Sequence, residues 1–244
     1  MRSYLDIPYT ENSGNMQLLD IHTPDRESFD TLIWLHGGGL ETGSRKDKDY
    51  PAAVTDAGYA FASIEYRMYP DAKFPDYLYD AADAIAYLVK KMPELGGKRL
   101  FLMGESAGAY LTMMLLMDPQ YFANAGIDQS CIAGFISDSA QQFCHFRVLK
   151  EMGLDSRLER INERAPIYFI REGLKIRPLL LMYYKDDMKC RPEETRLIYA
   201  SFQQLMPEAR VEIHELPSGH CSRPKDENGR HLMLQRAFRF MEEI

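Results

Sequence analysis

Arg99-Leu100-Phe101-Leu102-Met103-Gly104-Glu105-Ser106-Ala107-Gly108-Ala109-Tyr110-Leu111-Thr112-Met113-Met114-Leu115 decides the fold once its parts are taken together. The run up to Met103 is continuously apolar, as expected of a strand covered on both faces. The run from Ala109 suits a buried helix. Between them stands Gly104-Glu105-Ser106-Ala107-Gly108, a serine with a glycine two residues away on each side. A serine hydroxyl is a poor nucleophile unless the backbone holds it exposed at a sharp turn. The glycines leave room for a strained backbone and for the helix to approach the strand closely. The pattern G-x-S-x-G recurs by chance, so its meaning depends on partners elsewhere in the chain.

Outward from this stretch, short apolar runs alternate with helical patterns. Residues 31–35, 60–66, 100–103, 132–136, 178–184 and 211–216 read as buried strands, and continuous apolarity argues for a parallel sheet. Asp76 to Lys91 places Tyr77, Ala81, Ala84, Ile85 and Leu88 at helical spacing, and 232–241 repeats the pattern with Leu234, Phe238 and Met241. Two alternating runs, Tyr4 to Tyr9 and Met16 to Ile21, read as an antiparallel pair joined through Asn12-Ser13-Gly14-Asn15. The expectation is an α/β fold: a mostly parallel central sheet of about eight strands with helices on both faces. From about 139 to 176 no strand pattern occurs, and charge is dense from Arg147 to Arg164. The segment is too long for a plain connection. The chain therefore reads as one domain over 1–244, with a small helical, cap-like insertion over the catalytic face.

The 244 residues carry a net charge of -7, which disfavours nucleic acid and anionic membrane surfaces as partners. No apolar run approaches a bilayer span, and the N-terminus lacks a signal-type stretch, so a cytoplasmic location is expected. Self-association stays open. The four cysteines, Cys131, Cys144, Cys190 and Cys221, form neither a disulfide scaffold nor a CxxC metal pair. Cys221 is expected to be a packed free thiol rather than a nucleophile.

In an open α/β sheet, ligands bind beyond the carboxyl ends of the strands. After residues 31–35 comes His36-Gly37-Gly38-Gly39, whose amides can point into a cavity with no side chain in the way. Two such donors, with the amide after the serine, suit a developing oxyanion. No Lys-Ser/Thr follows, so a phosphate loop is disfavoured. His36 reads as an anchor for the glycines. After Tyr184 comes Lys185-Asp186-Asp187-Met188, where a carboxylate can orient a histidine. After Leu216 comes the loop Pro217-Ser218-Gly219-His220-Cys221, which places His220 as general base. His145, in the insertion, is kept as a substrate-contact candidate. Phe143, Phe146, Tyr168 and Phe169 are expected to be packing residues.

With these motifs in place, the sequence resembles the α/β-hydrolase superfamily. It is similar within it to carboxylesterases and acetyl esterases with a His-Gly-Gly-Gly loop, the hormone-sensitive-lipase-like group. Glu65-Tyr66-Arg67, Phe74-Pro75 and Asp80-Ala81-Ala82-Asp83-Ala84 extend the similarity. The resemblance implies catalytic Ser106, Asp187 and His220, and an oxyanion hole from the amides of Gly38, Gly39 and Ala107. Family members often show Gly-x-x-Asp at the acid strand. Tyr184 takes the glycine's place here, and that spacing favours Asp187 over Asp186. The expected activity is a serine carboxylic-ester hydrolase acting on small or short-acyl esters through an acyl-enzyme, with no cofactor and no metal. A peptidase or amidase on the same fold is the first rival, and a non-catalytic binding protein the second.

Overall fold

Strands buried on both faces form the middle of one eight-stranded sheet. β3 (Phe29–Leu35), β4 (Ala60–Ile64), β5 (Gly97–Glu105), β6 (Ile132–Asp138), β7 (Leu179–Asp186) and β8 (Val211–Gly219) run parallel. β1 (Arg2–Pro8) and β2 (Leu18–Thr23) add antiparallel at the β4 side, giving the order β1-β2-β4-β3-β5-β6-β7-β8. This is the computed structural model of the chain, and it describes residues 1–11, 14–47 and 49–244. Of the expected turn between β1 and β2, Asn12 and Ser13 lie outside the described residues.

Each central strand feeds two cores. Leu32 and Trp34 join Phe101, Met103, Leu180 and Met182 under α1 (Tyr50–Asp56) and α7 (Leu232–Glu243). Ile33 and Leu35 join Leu100, Leu102, Leu179 and Leu181 under α2 (Asp76–Leu95), α3 (Ala107–Met117) and α6 (Arg191–Leu205). α2 is amphipathic and buries Tyr77, Ala81, Ala84, Ile85, Leu88 and Met92. Every residue of α3 is buried, which is why its sequence is apolar all round. α4 (Gln120–Asn124) is a short helix that packs Tyr121 and Phe122 onto the same core.

Two differences from the sequence expectation are structural. β8 continues through Gly219, so Pro217-Ser218-Gly219 are strand and not loop. The 139–176 segment contains only α5 (Phe146–Glu151) and a 3-10 turn at Pro166–Phe169 as regular structure, so it is mostly irregular rather than helical.

β4 lies on one side of β3 and β5 on the other, so the winding direction reverses between β3 and β5. A reversal opens a crevice at the carboxyl ends. His36–Gly39 and Ser106 meet at that crevice.

Candidate active site

The elbow at Ser106 is a strained turn. Ser106 has φ 55 and ψ -112, outside the regions an L residue ordinarily occupies. Its amide donates to the Asp138 carbonyl (2.8 Å) and its carbonyl accepts from the Tyr110 amide (3.0 Å), fixing it between β6 and the first turn of α3. A Cβ on Gly104 would sit 2.1 Å from the Gly108 carbonyl oxygen, and one on Gly108 would sit 2.0 Å from that of Leu35. Only glycine permits that approach of α3 to β3 and β5.

The structure brings Ser106, His220 and Asp187 together. Ser106 Oγ lies 2.8 Å from His220 Nε2, and His220 Nδ1 lies 2.5 Å from Asp187 Oδ1. A carboxylate only accepts, so Nδ1 carries the proton and Nε2 presents its lone pair to Ser106. The Asp187 side chain is fully buried; its Oδ1 also accepts from the Met188 amide (2.7 Å) and its Oδ2 from the Tyr184 amide (3.1 Å). Burial pushes the Asp187 carboxyl upward, but hydrogen bonds from His220, from Ser139 and from the Tyr184 amide outweigh it. The net result is a carboxyl held below its ordinary value. Asp186, the neighbouring candidate, is exposed and pairs in register with Gly219.

Ser139 is the residue that sequence reasoning missed. Its hydroxyl donates to Asp187 Oδ2 and lies 3.0 Å from His220 Nδ1. It follows β6 directly, is buried, and has φ 66. A lone serine after a strand carries no local signal of this contact.

His36 does not reach Ser106. It is buried, with Nδ1 2.7 Å from the Gly37 carbonyl and Nε2 3.1 Å from Glu65 Oε1. Its ring stacks on Tyr66 at 4.4 Å, and the Tyr66 hydroxyl donates to the His36 carbonyl (2.7 Å). Glu65 also accepts from Ser44 Oγ and from the Arg45 amide and guanidinium, so one buried carboxylate organises the loop. Gly38 has φ 111, and a Cβ there would lie 1.9 Å from the Thr42 carbonyl oxygen. The Gly38 carbonyl accepts from the Glu41 and Thr42 amides (3.2 and 3.0 Å).

A second network crosses from the elbow to the histidine. Arg223 donates through Nε and Nη2 to Glu105 (3.1 and 2.8 Å), through Nη1 to Asp47 (2.6 Å), and lies 4.0 Å over the Tyr50 ring. Asp138 lies buried beside it, accepting from the Tyr184 hydroxyl (3.1 Å). Burial, and then the charge on Glu105, push Asp138 well above the ordinary carboxylate range. Glu105, Asp138 and Cys221 could bring three ligand atoms within 4.8 Å of one another. Arg223 already occupies both Glu105 oxygens, and burial disfavours the charged form of Asp138, so this donor set is a poor fit for a cation. The Cys221 thiol is 3.7 Å from His220 Nε2, and burial pushes its pKa up, opposite to what a thiolate nucleophile requires.

A cavity of about 580 Å³ opens over Ser106 and His220. The glycine loop, Trp34, Glu41, Asp47, Phe146, Met188 and Arg223 line it. Phe146 therefore faces the cavity beside Gly39, against the expectation that it only packs. Its position at the start of α5 projects it back over the glycine loop. Tyr168 is exposed, and Phe169 packs partly on the main core. His145 is fully buried against Tyr110 and Phe146, and its Nδ1 accepts from the Arg147 amide (3.2 Å). It caps α5 instead of contacting substrate, because the helix start needs an acceptor there.

Fold and sheet order define an α/β-hydrolase. The chain belongs to the BD-FAE family, whose model matches residues 19–154. It is 30% identical over 118 residues to an ethyl acetate hydrolase of Pseudomonas putida, covering 45% of this chain and 37% of that protein. It is 34% identical over 149 residues to an acetyl-hydrolase of Streptomyces hygroscopicus, covering 58% and 48%. The chain thus spans about half or less of the length of these relatives. An inhibited esterase B from Lactobacillus rhamnosis has the same fold, with a TM-score of 0.77 at 16% identity over 99% of this chain and 86% of that one. Among the described residues no helix is long and apolar enough to cross a membrane.

Proposed function

We propose that the chain is a carboxylic-ester hydrolase that works through an acyl-enzyme on Ser106. The observation that carries this is the continuous relay from Ser106 Oγ through His220 to Asp187 at the floor of an open cavity. Ser106 Oγ attacks the ester carbonyl as its proton passes to His220 Nε2. Asp187 keeps the ring oriented and stabilises it as a cation. The amides of Gly38, Gly39 and Ala107 receive the developing oxyanion; Ala107 opens α3, where helix amides lack partners within the helix. His220 then protonates the departing alcohol, and water repeats the cycle on the acyl-serine.

The cavity walls support small or short-acyl substrates. Glu41, Asp47, Glu105 and Arg223 stand in the cavity wall among the apolar Trp34, Phe146 and Met188, so a long alkyl chain laid there would run against charged groups. The curated relatives' names also point to small acyl groups. Free cysteines throughout suit a reducing compartment, which supports the cytoplasmic assignment. Residues 1–244 are taken as one domain with the 139–176 segment inserted at its carboxyl-end face.

A nitrophenyl ester series from acetate to laurate, run beside an aminoacyl anilide, tests the reading. The expected profile peaks at acetate to butyrate and vanishes in Ser106→Ala. Turnover of the anilide alone would make the protein an amidase, and a laurate maximum would overturn the short-acyl assignment.

A further inference from the structure

We propose that Ser139 is a positioning residue of this site, a fourth member of the relay that holds the Asp187 carboxylate and shares the proton His220 presents to it. The proposal rests on the esterase reading above and deepens it.

The geometry commits each polar atom of Ser139. Its amide donates to the Met182 carbonyl (2.9 Å), tying the end of β6 to β7. Its carbonyl accepts from Arg191 Nη1 (2.7 Å), a guanidinium that is itself buried. These two bonds hold the residue at φ 66, a conformation costly for any side chain but glycine. Glycine would remove that strain, yet the position carries a hydroxyl, whose hydrogen bonds among the described residues all fall within the relay. Its hydrogen goes to Asp187 Oδ2, which leaves an oxygen lone pair facing His220 Nδ1 at 3.0 Å.

Two consequences follow for the proton transfer. The Asp187 carboxylate receives four donors, two on each oxygen: His220 and Met188 on Oδ1, Tyr184 and Ser139 on Oδ2. The Ser139 hydroxyl reaches Oδ2 from the residue after β6 and, with the Tyr184 amide on the same oxygen, opposes rotation of the carboxylate away from the ring. As His220 takes the Ser106 proton and becomes a cation, the negative end of the Ser139 dipole already faces it. No bond to substrate is involved. The effect therefore falls on kcat and spares KM.

Ser139→Gly separates this role from a structural one, because it keeps both backbone hydrogen bonds and relieves the strain. The experiment compares wild type, Ser139→Gly, Ser139→Ala and Ser106→Ala on nitrophenyl acetate, with melting curves and the rate of phosphonylation of Ser106 by a fluorophosphonate. The expected result is a Ser139→Gly protein that melts no lower than wild type and keeps KM within about twofold. Its kcat and phosphonylation rate should fall about 10- to 100-fold, with Ser139→Ala matching that loss. A Ser139→Gly kcat within about twofold of wild type overturns the proposal while leaving the esterase reading intact. Should Ser139→Gly not fold, Ser139→Ala decides by the same criterion. Activity that survives in Ser106→Ala would sink the esterase reading instead.

Discussion

Asp186 and Asp187 are neighbours of identical chemistry, and their surroundings give them opposite fates. Asp186 closes β7 in register with Gly219 and stays exposed, whereas Asp187 turns inward and is enclosed by donors. Asp187→Asn should keep the shape but place an N–H where His220 needs an acceptor, favouring the tautomer with its proton on Nε2. By analogy with such a change in serine proteases, kcat on nitrophenyl acetate should drop about 10³- to 10⁴-fold. Asp186→Asn should stay within about twofold, since it touches nothing in the relay. Equal losses in the two variants would remove Asp187 from the assignment. The pair also shows what a sequence can carry at this scale. Ser106, Asp187 and His220 each follow a strand, so strand ends narrow the search to them, and the spacing implied by the family resemblance separates Asp187 from Asp186. Ser139 joins them through contacts 48 and 81 residues away, which no local pattern encodes. Phe146 reads as a packing residue for a related reason: aromatic residues are most often buried, and only the path of α5 turns this ring to the cavity.

Between elements, the segment that carries His220 is held by a strap. Ser218, Cys221 and Arg223 all have positive φ, at 75, 45 and 53, so this short stretch stores strain that outside contacts must offset. Arg223 supplies them by gripping Glu105, the residue before Ser106, together with Asp47 and the Tyr50 ring. The segment carrying His220 is thereby fastened to the elbow at Ser106. Arg223→Met keeps much of the stem packing but leaves two carboxylates without their partner. We expect a loss of about 2 kcal/mol in chemical denaturation, and a kcat about tenfold lower as His220 loses its register. Unchanged kinetics with lowered stability would show that the strap serves folding alone. The sheet itself was legible because strands covered on both faces leave continuous apolar runs. The end of β8 was not. Pro217, Ser218 and Gly219 have the composition of a turn, and they remain strand because β8 is the sheet edge, where a missing amide donor costs little. Glu105–Arg223 was equally hidden, since a charge pair separated by 118 residues has no sequence period.

Across the whole molecule, buried ionisable groups make stability depend on pH in opposing directions. Glu194, on α6, is buried, and its Oε2 accepts from the Gln142 and Phe143 amides (2.6 and 3.1 Å), pinning the start of the 139–176 segment to that helix. Burial raises its carboxyl from about 4.5, and the Arg191 charge and the two amides only partly counter this, leaving it at about 7. The folded protein therefore binds more protons than the unfolded chain between those values. That contribution to stability is full below about pH 4.5 and is lost as pH rises through about 7, at a cost on the order of 3 kcal/mol. His145 works the other way. Burial, and then the Arg191 charge, push it well below 6.5, so its contribution is present above pH 6.5 and is lost as pH falls through the depressed value. The two slopes oppose each other in wild type, so only a difference curve isolates Glu194. Glu194→Gln retains an oxygen acceptor for both amides and carries no charge. At pH 5 its denaturation midpoint should match wild type closely. By pH 8 the variant should be the more stable by on the order of 2 kcal/mol, with a plateau above that. One cooperative transition is expected throughout, since Glu194 ties the 139–176 segment to α6. A difference between variant and wild type that stays flat from pH 5 to 8 would mean that Glu194 is already ionised throughout that range, with Arg191 and the two amides fully offsetting its burial.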